Sequence, residues 1–186
     1  MKSKIKLTKV SQKCFTQKGF DERGCYGCDC KDSCCKYGAD FDKEAYDLVI
    51  KNKNLIEPLV GLPIEKCFET KFSGDKEFLG GNSIRSIKGK NYCIFHNKEG
   101  KGCILYGLVL SKKLNRRAIP SICKLFPLTW ENKKLIYYEE LKNEEGFPLC
   151  KVPSDCNCLD PENKTKKSLF QTQKQDIDDI FEIKEE

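Results

Sequence analysis

The chain has one histidine, one tryptophan and, apart from Met1, no methionine. With His96 as its only imidazole, it is poorly supplied for Ser-His-Asp chemistry or for histidine-rich metal sites. It has no glycine-rich phosphate loop and no evident pair of catalytic carboxylates. No stretch approaches the about 18 apolar residues that a membrane span needs, so no membrane partner is expected. The opening MKSKIKLTKV is basic but lacks the apolar stretch of a secretory signal. The expected compartment is therefore the cytoplasm, where thiols stay reduced.

Cysteine is what the chain does have, 13 in 186 residues. The odd count and the reducing compartment favour metal ligation over a disulfide scaffold. Hydrophobic residues make up 39% and charged residues 33%, a composition with a wet surface. The length fits one domain with tails. Net charge is +6, and ligating thiolates would bring it closer to zero. The lysine excess is spread thinly: Lys112-Lys113 and Arg116-Arg117 are isolated pairs among many acids. Nucleic acid is not expected as a partner on that pattern.

The expected fold is α+β, a small compact irregular domain organised around a cysteine-ligated metal centre. Residues 1–13 read as a basic lead-in, with Ile5 and Leu7 alternating as in an edge strand. Residues 14–160 form the cysteine-cluster domain, and residues 161–186 an amphipathic C-terminal helix or tail. The stretch 19–39 reads as a loop. A helix is predicted after Asp42, with Phe41, Ala45, Leu48 and Val49 on one face, and a second over 53–61. Residues 64–92 suggest short strands and turns, 92–95 a strand, 104–114 a helix and 121–126 a short helix. Leu128 and Trp130 alternate against Leu135 and Tyr137 across Glu131-Asn132-Lys133-Lys134, as in a β-hairpin. The tail residues Leu169, Phe170, Gln173, Ile177, Ile180 and Phe181 recur at helical spacing. That stripe is expected to dock on the body, with a protein partner for this helix as the alternative.

Five cysteines fall in eleven residues: Cys25, Cys28, Cys30, Cys34 and Cys35. Thiols so close in sequence converge on a soft metal at little loop-closure cost. The two-residue spacing of Cys25 and Cys28 is a common half-site for zinc and for iron–sulfur clusters. Cys34 and Cys35 diverge, so they more easily ligate different metal atoms than chelate one. Cys93, Cys103, Cys123 and Cys150 sit in apolar, turn-bounded contexts and are the candidate distant ligands. Cys14 and Cys67 read as buried core thiols, and Cys156 and Cys158 as intermediate cases. His96 is either a solvated loop residue or a ligand.

The run Cys30-Lys31-Asp32-Ser33-Cys34-Cys35-Lys36-Tyr37-Gly38-Ala39 resembles the opening motif of the YkgJ-like cysteine-cluster proteins. Gly102-Cys103-Ile104-Leu105-Tyr106 is similar to that family's second block, and Pro120-Ser121-Ile122-Cys123-Lys124-Leu125-Phe126-Pro127-Leu128 to its third. The resemblance covers roughly residues 25–150 and implies a zinc- or iron-chelating domain. The family's tightest pattern has two residues where this chain has three between Cys30 and Cys34, and the chain adds Cys25. Because the family includes the cysteine-rich region of a flagellin lysine N-methylase, the resemblance also implies an iron–sulfur-assisted methyl transfer as an alternative.

Abundant thiol and scarce imidazole point to all-thiolate coordination, which suits iron–sulfur clusters and zinc alike. The surplus of thiols over one tetrahedral set favours the cluster. Two classes of function follow: a metal-holding module in a redox, cluster-handling or structural role, and an enzyme that modifies a protein side chain through the cluster. Lys36, Arg116, Arg117 and Lys124 are candidate charges to offset such a centre.

Overall fold

A computed structural model describes residues 4–20, 32–142 and 165–184. Strands β1 (Ile5–Leu7) and β2 (Lys9–Val10) lead into helix α1 (Gln12–Thr16). A 3-10 turn over Ser33–Tyr37 precedes β3 (Asp40–Asp42), α2 (Lys43–Lys51) and α3 (Lys53–Val60). After another such turn at Ile64–Cys67 come β4 (Ser73–Gly74), β5 (Asn82–Arg85) and α4 (Ile104–Leu110). Then follow α5 (Ser121–Leu125) and the hairpin β6 (Leu128–Glu131) and β7 (Lys134–Tyr137). Helices α6 (Leu169–Thr172) and α7 (Lys174–Ile180) run into β8 (Phe181–Ile183). Helices and strands are mixed, as the sequence indicates. The chain divides into two compact units, Asp32–Lys124 and the pair of stretches Met1–Lys31 and Leu125–Glu186.

In the unit Asp32–Lys124, α2 starts where expected because Asp42 is a true cap: its carboxylate accepts the Ala45 N–H at 3.0 Å. Ala45 and Val49 are fully buried on one stripe of α2, and Ile56 and Val60 continue the apolar face along α3. That helix ends at Gly61, whose φ of +76° closes the last turn onto Glu57 C=O at 2.7 Å. Strands β3, β5 and β4 form an antiparallel sheet in that order. The rings of Phe41, Phe68 and Phe95 meet at centroid distances of 5.0 to 5.4 Å in the core. Residues 92–95 are not the expected strand. Cys93 makes a single bridge to Lys88, and the chain turns so that both Ile94 and Phe95 are buried.

In the other unit, β6 and β7 pair antiparallel as expected, and β2 adds to β7 in parallel. Asn132 and Lys133 both take left-handed φ values, 50° and 60°, which is the two-residue hairpin turn. Strand β1 forms, but its partner is β8, parallel, with Ile5 opposite Phe181. This corrects the expected helical stripe at its end. Leu169, Ile177 and Ile180 are buried helical residues, whereas Phe181 lies in a strand with its ring 5.2 Å from Trp130. Helix α1 was not foreseen; Ser11 caps it by accepting the Lys13 N–H.

Candidate metal centre

Cys34 and Cys35 lie on the 3-10 turn Ser33–Tyr37, which opens at Asp32 in a left-handed conformation, φ 51°. Two sets of hydrogen bonds fasten this turn to a distant stretch of the same unit. Asp32 Oδ2 accepts the Gly102 N–H at 3.0 Å and lies 3.0 Å from His96 Nε2. The Cys93 N–H donates to the Cys35 carbonyl at 2.6 Å. Ser86 adds a third tie: its N–H and its hydroxyl each pair with the Ala39 backbone at 2.9 Å. The same hydroxyl sits 3.3 Å from the Cys93 sulfur.

Cys103 bridges back to His96 and opens α4, its successor Ile104 donating to Phe95 C=O at 2.8 Å. Cys123 rides on α5. The start of that helix is fixed by Asp42, which accepts both the hydroxyl and the N–H of Ser121.

Five thiols thereby influence one another electrostatically, and Cys67 also feels the charge of Cys93. A hydrogen bond with Cys34, then burial, then the charges of Cys34, Cys103 and Cys123 push the Cys35 thiol far up. Burial pushes Cys103 up to about 12, with Cys93 and Cys34 adding to it against hydrogen bonds from the Tyr106 and Leu105 backbone. Burial also raises Cys93, partly offset by the Ser86 hydroxyl, the Phe95 backbone and the Arg85 charge. Cys123 rises well above the ordinary thiol range through desolvation, then through Cys103, Cys93, Cys34 and Asp40. Solvent nonetheless reaches Cys123, whereas Cys34, Cys35, Cys93 and Cys103 are half-buried.

Among the described residues, no group of three or more His, Cys, Asp or Glu side chains is arranged to hold a metal ion. Cys25, Cys28, Cys30 and Cys150 lie outside the described residues, as do Cys156 and Cys158. Cys14 and Cys67 are fully buried, as the sequence reading prefers, and each thiol donates to a backbone carbonyl, of Leu135 and Pro63 respectively.

His96 is neither a solvated loop residue nor free to ligate through Nε2. That nitrogen faces Asp32, and its ring stacks on Tyr92 at 4.2 Å. Of the cations singled out in the sequence, Arg117 pairs with Glu44 at 3.4 Å and Arg116 lies over the Tyr106 ring. Lys124 is 6% exposed. Arg85, held by Asp40 at 2.7 Å and by Tyr37 C=O at 2.8 Å, is a cation that lowers Cys93. Sequence reasoning missed Arg85, Asp32 and Ser86. The Asp one residue before Ser33-Cys34-Cys35 was the available signal for Asp32 alone. Compared with protein-family models, with curated proteins and with solved structures, the chain finds no match.

Proposed function

We propose that the chain is a metal-binding protein of the YkgJ-like cysteine-cluster type, acting in the cytoplasm in a redox, cluster-handling or structural role. Its inorganic group is an iron–sulfur cluster. Cys34, Cys35, Cys93, Cys103 and Cys123 would hold it, with Cys25, Cys28, Cys30 and Cys150 as the remaining ligand candidates. The observation that supports this reading is the mutual effect of the five thiols. Cys35, Cys93, Cys103 and Cys123 all have their ionised form disfavoured by burial and by neighbouring sulfurs. A cation among them reverses both penalties, because thiolate is the ligating form and metal binding releases the proton. The donor set is soft and rich in sulfur, and the Asp32 contact occupies only Nε2 of His96.

When bound, the cluster supplies positive charge to the thiolates and a centre able to exchange electrons. The chain's own part is positional. Asp32 and Ser86 fix the Cys34–Cys35 turn against the segment bearing Cys93 and Cys103. Asp42 fixes the helix bearing Cys123. The Ser86 hydroxyl is placed to donate toward the Cys93 sulfur, the kind of contact that tunes a cluster.

Anaerobic purification followed by visible absorption and by iron, zinc and acid-labile sulfide analysis tests the reading. Brown protein with iron and sulfide is expected. Colourless protein with stoichiometric zinc would move the site to zinc, and metal-free protein would overturn the proposal.

A further inference from the structure

The unit formed around β6 and β7 gathers lysines that the sequence scatters. Residues 17–19 pair with residues 167–169: Leu169 N–H donates to Gln17 C=O and Gly19 N–H to Lys167 C=O, both at 2.9 Å. Lys18 bridges to Ser168, and its ammonium reaches Lys166 C=O at 3.1 Å. Gly19 is required at this junction, because a Cβ there would meet Thr172 Oγ1 at 2.0 Å. Helix α1 thereby lies on α6, with Phe15 and Phe170 in ring contact at 4.7 Å.

On the segments that carry these rings, Lys13, Lys18, Lys166 and Lys167 are all exposed. None of the four forms an ion pair with a described residue. Residues 4–20 and 165–175 contain no Asp or Glu at all. Lys174 is balanced by Asp178 and adds nothing. Phe15 is 42% exposed, the one large exposed hydrophobic residue of this unit among the described residues.

From this juxtaposition we infer that the α1–α6 face binds single-stranded nucleic acid, with a base stacked on Phe15 and phosphates on Lys13, Lys18, Lys166 and Lys167. An open aromatic ring on segments rich in exposed lysine is the pairing that sequence-tolerant single-strand recognition uses, and the acid beside α1 is Glu140, which accepts the Ser11 hydroxyl at 2.6 Å. A bilayer is a poorer occupant, since one phenylalanine on a five-residue helix offers too little apolar area to insert. An acidic peptide would use the lysines and leave the ring without a role. The inference is independent of the metal, because every residue it uses lies outside the thiol cluster.

The test is fluorescence anisotropy of a labelled twelve-nucleotide single-stranded RNA with the purified full chain. Four phosphate contacts predict that log K falls with log salt at a slope of about −3, roughly 50-fold between 50 and 200 mM. Lys166→Glu with Lys167→Glu should abolish measurable binding. Phe15→Leu, which keeps the apolar contact with Phe170, should weaken it by about fivefold or more. Unchanged far-ultraviolet circular dichroism and melting temperature show that each variant is folded. Absence of binding by the wild-type chain overturns the inference. So does binding that Phe15→Leu leaves intact and polyglutamate abolishes equally, or binding to anionic vesicles alone.

Discussion

Asp42 joins the starts of two helices that are far apart in sequence. One carboxylate oxygen takes the Ala45 N–H at 3.0 Å, and the other takes the Ser121 hydroxyl at 2.8 Å and the Ser121 N–H at 3.3 Å. The group is 2% exposed, and Ser121 is fully buried. Removing it leaves the capping donors of α2 and α5 without their partner in a dry site. Asp42→Ala should cost about 2–4 kcal/mol in urea denaturation. Asp42→Asn should cost less, because one amide oxygen still caps α2. An Asp42→Ala loss below about 0.5 kcal/mol would show that the clamp is not energetically important.

Two thiols outside the cluster make the chain sensitive to alkali. Burial pushes Cys14 up to about 12 and Cys67 up to about 11, above the ordinary value near 9 that an unfolded chain shows. Between pH 9 and these values the unfolded chain has released protons that the folded chain retains. Stability is therefore complete below about pH 9 and falls as pH rises through 11 and 12. Urea midpoints at pH 8 and pH 10 should show the fall, and Cys14→Ala should make it shallower. Neither thiol should react with iodoacetamide at pH 8 until the chain is denatured, which peptide mapping reads directly.

Local signals account for what the sequence made legible. Asp42 followed by Ala45 and Val49 specifies a capped amphipathic helix, and the alternation from Leu128 to Tyr137 specifies a hairpin. Long-range pairing left no such signal. The parallel match of β1 with β8 joins opposite ends of the chain, and it draws Phe181 out of a helical pattern it satisfies in sequence. Burial of Ile94 and Phe95 together is a tertiary outcome that overrides a strand-like run. At the site, cysteine density pointed to Cys25, Cys28, Cys30, Cys34 and Cys35, and apolar, turn-bounded contexts to Cys93, Cys103, Cys123 and Cys150; of the described ones, Cys34, Cys35, Cys93, Cys103 and Cys123 lie in one unit. Their supports, Asp32, Ser86 and Arg85, act through contacts that span from 45 to 70 residues in the chain. Spacing does not encode them.

The hairpin turn offers a stabilising change. Lys133 takes a φ of 60° at the second turn position, where a side chain is strained and glycine is not. Lys133→Gly should raise stability by about 1 kcal/mol, seen as a higher melting temperature with no change in bound metal. A lower melting temperature would mean that the Lys133 side chain contributes more than the strain it imposes.

The thiols divide into those that should hold metal and those that should not. Cys34→Ser and Cys123→Ser remove sulfurs from the mutually coupled set, so each should lower the metal per chain in protein purified anaerobically. Cys67→Ser removes a thiol whose hydrogen is committed to Pro63 C=O, and metal content should stay at the wild-type value. Equal metal in all three variants would defeat the ligand assignment.

Gly38 links the packing around the site to the site itself. Its φ of +77° is left-handed, and a Cβ there would meet the Ser86 carbonyl oxygen at 2.9 Å. Backbone oxygen cannot rotate away as a side chain can, so Gly38→Ala must shift residues 38–39 or Ser86. Ser86 is the residue that pairs with Ala39 and touches the Cys93 sulfur, so the shift reaches a proposed ligand without altering any thiol. The expected result is a loss of about 1–3 kcal/mol in stability together with reduced metal content. If stability falls by that amount while metal content stays at the wild-type level, Ser86 serves the sheet alone and has no part in placing Cys93.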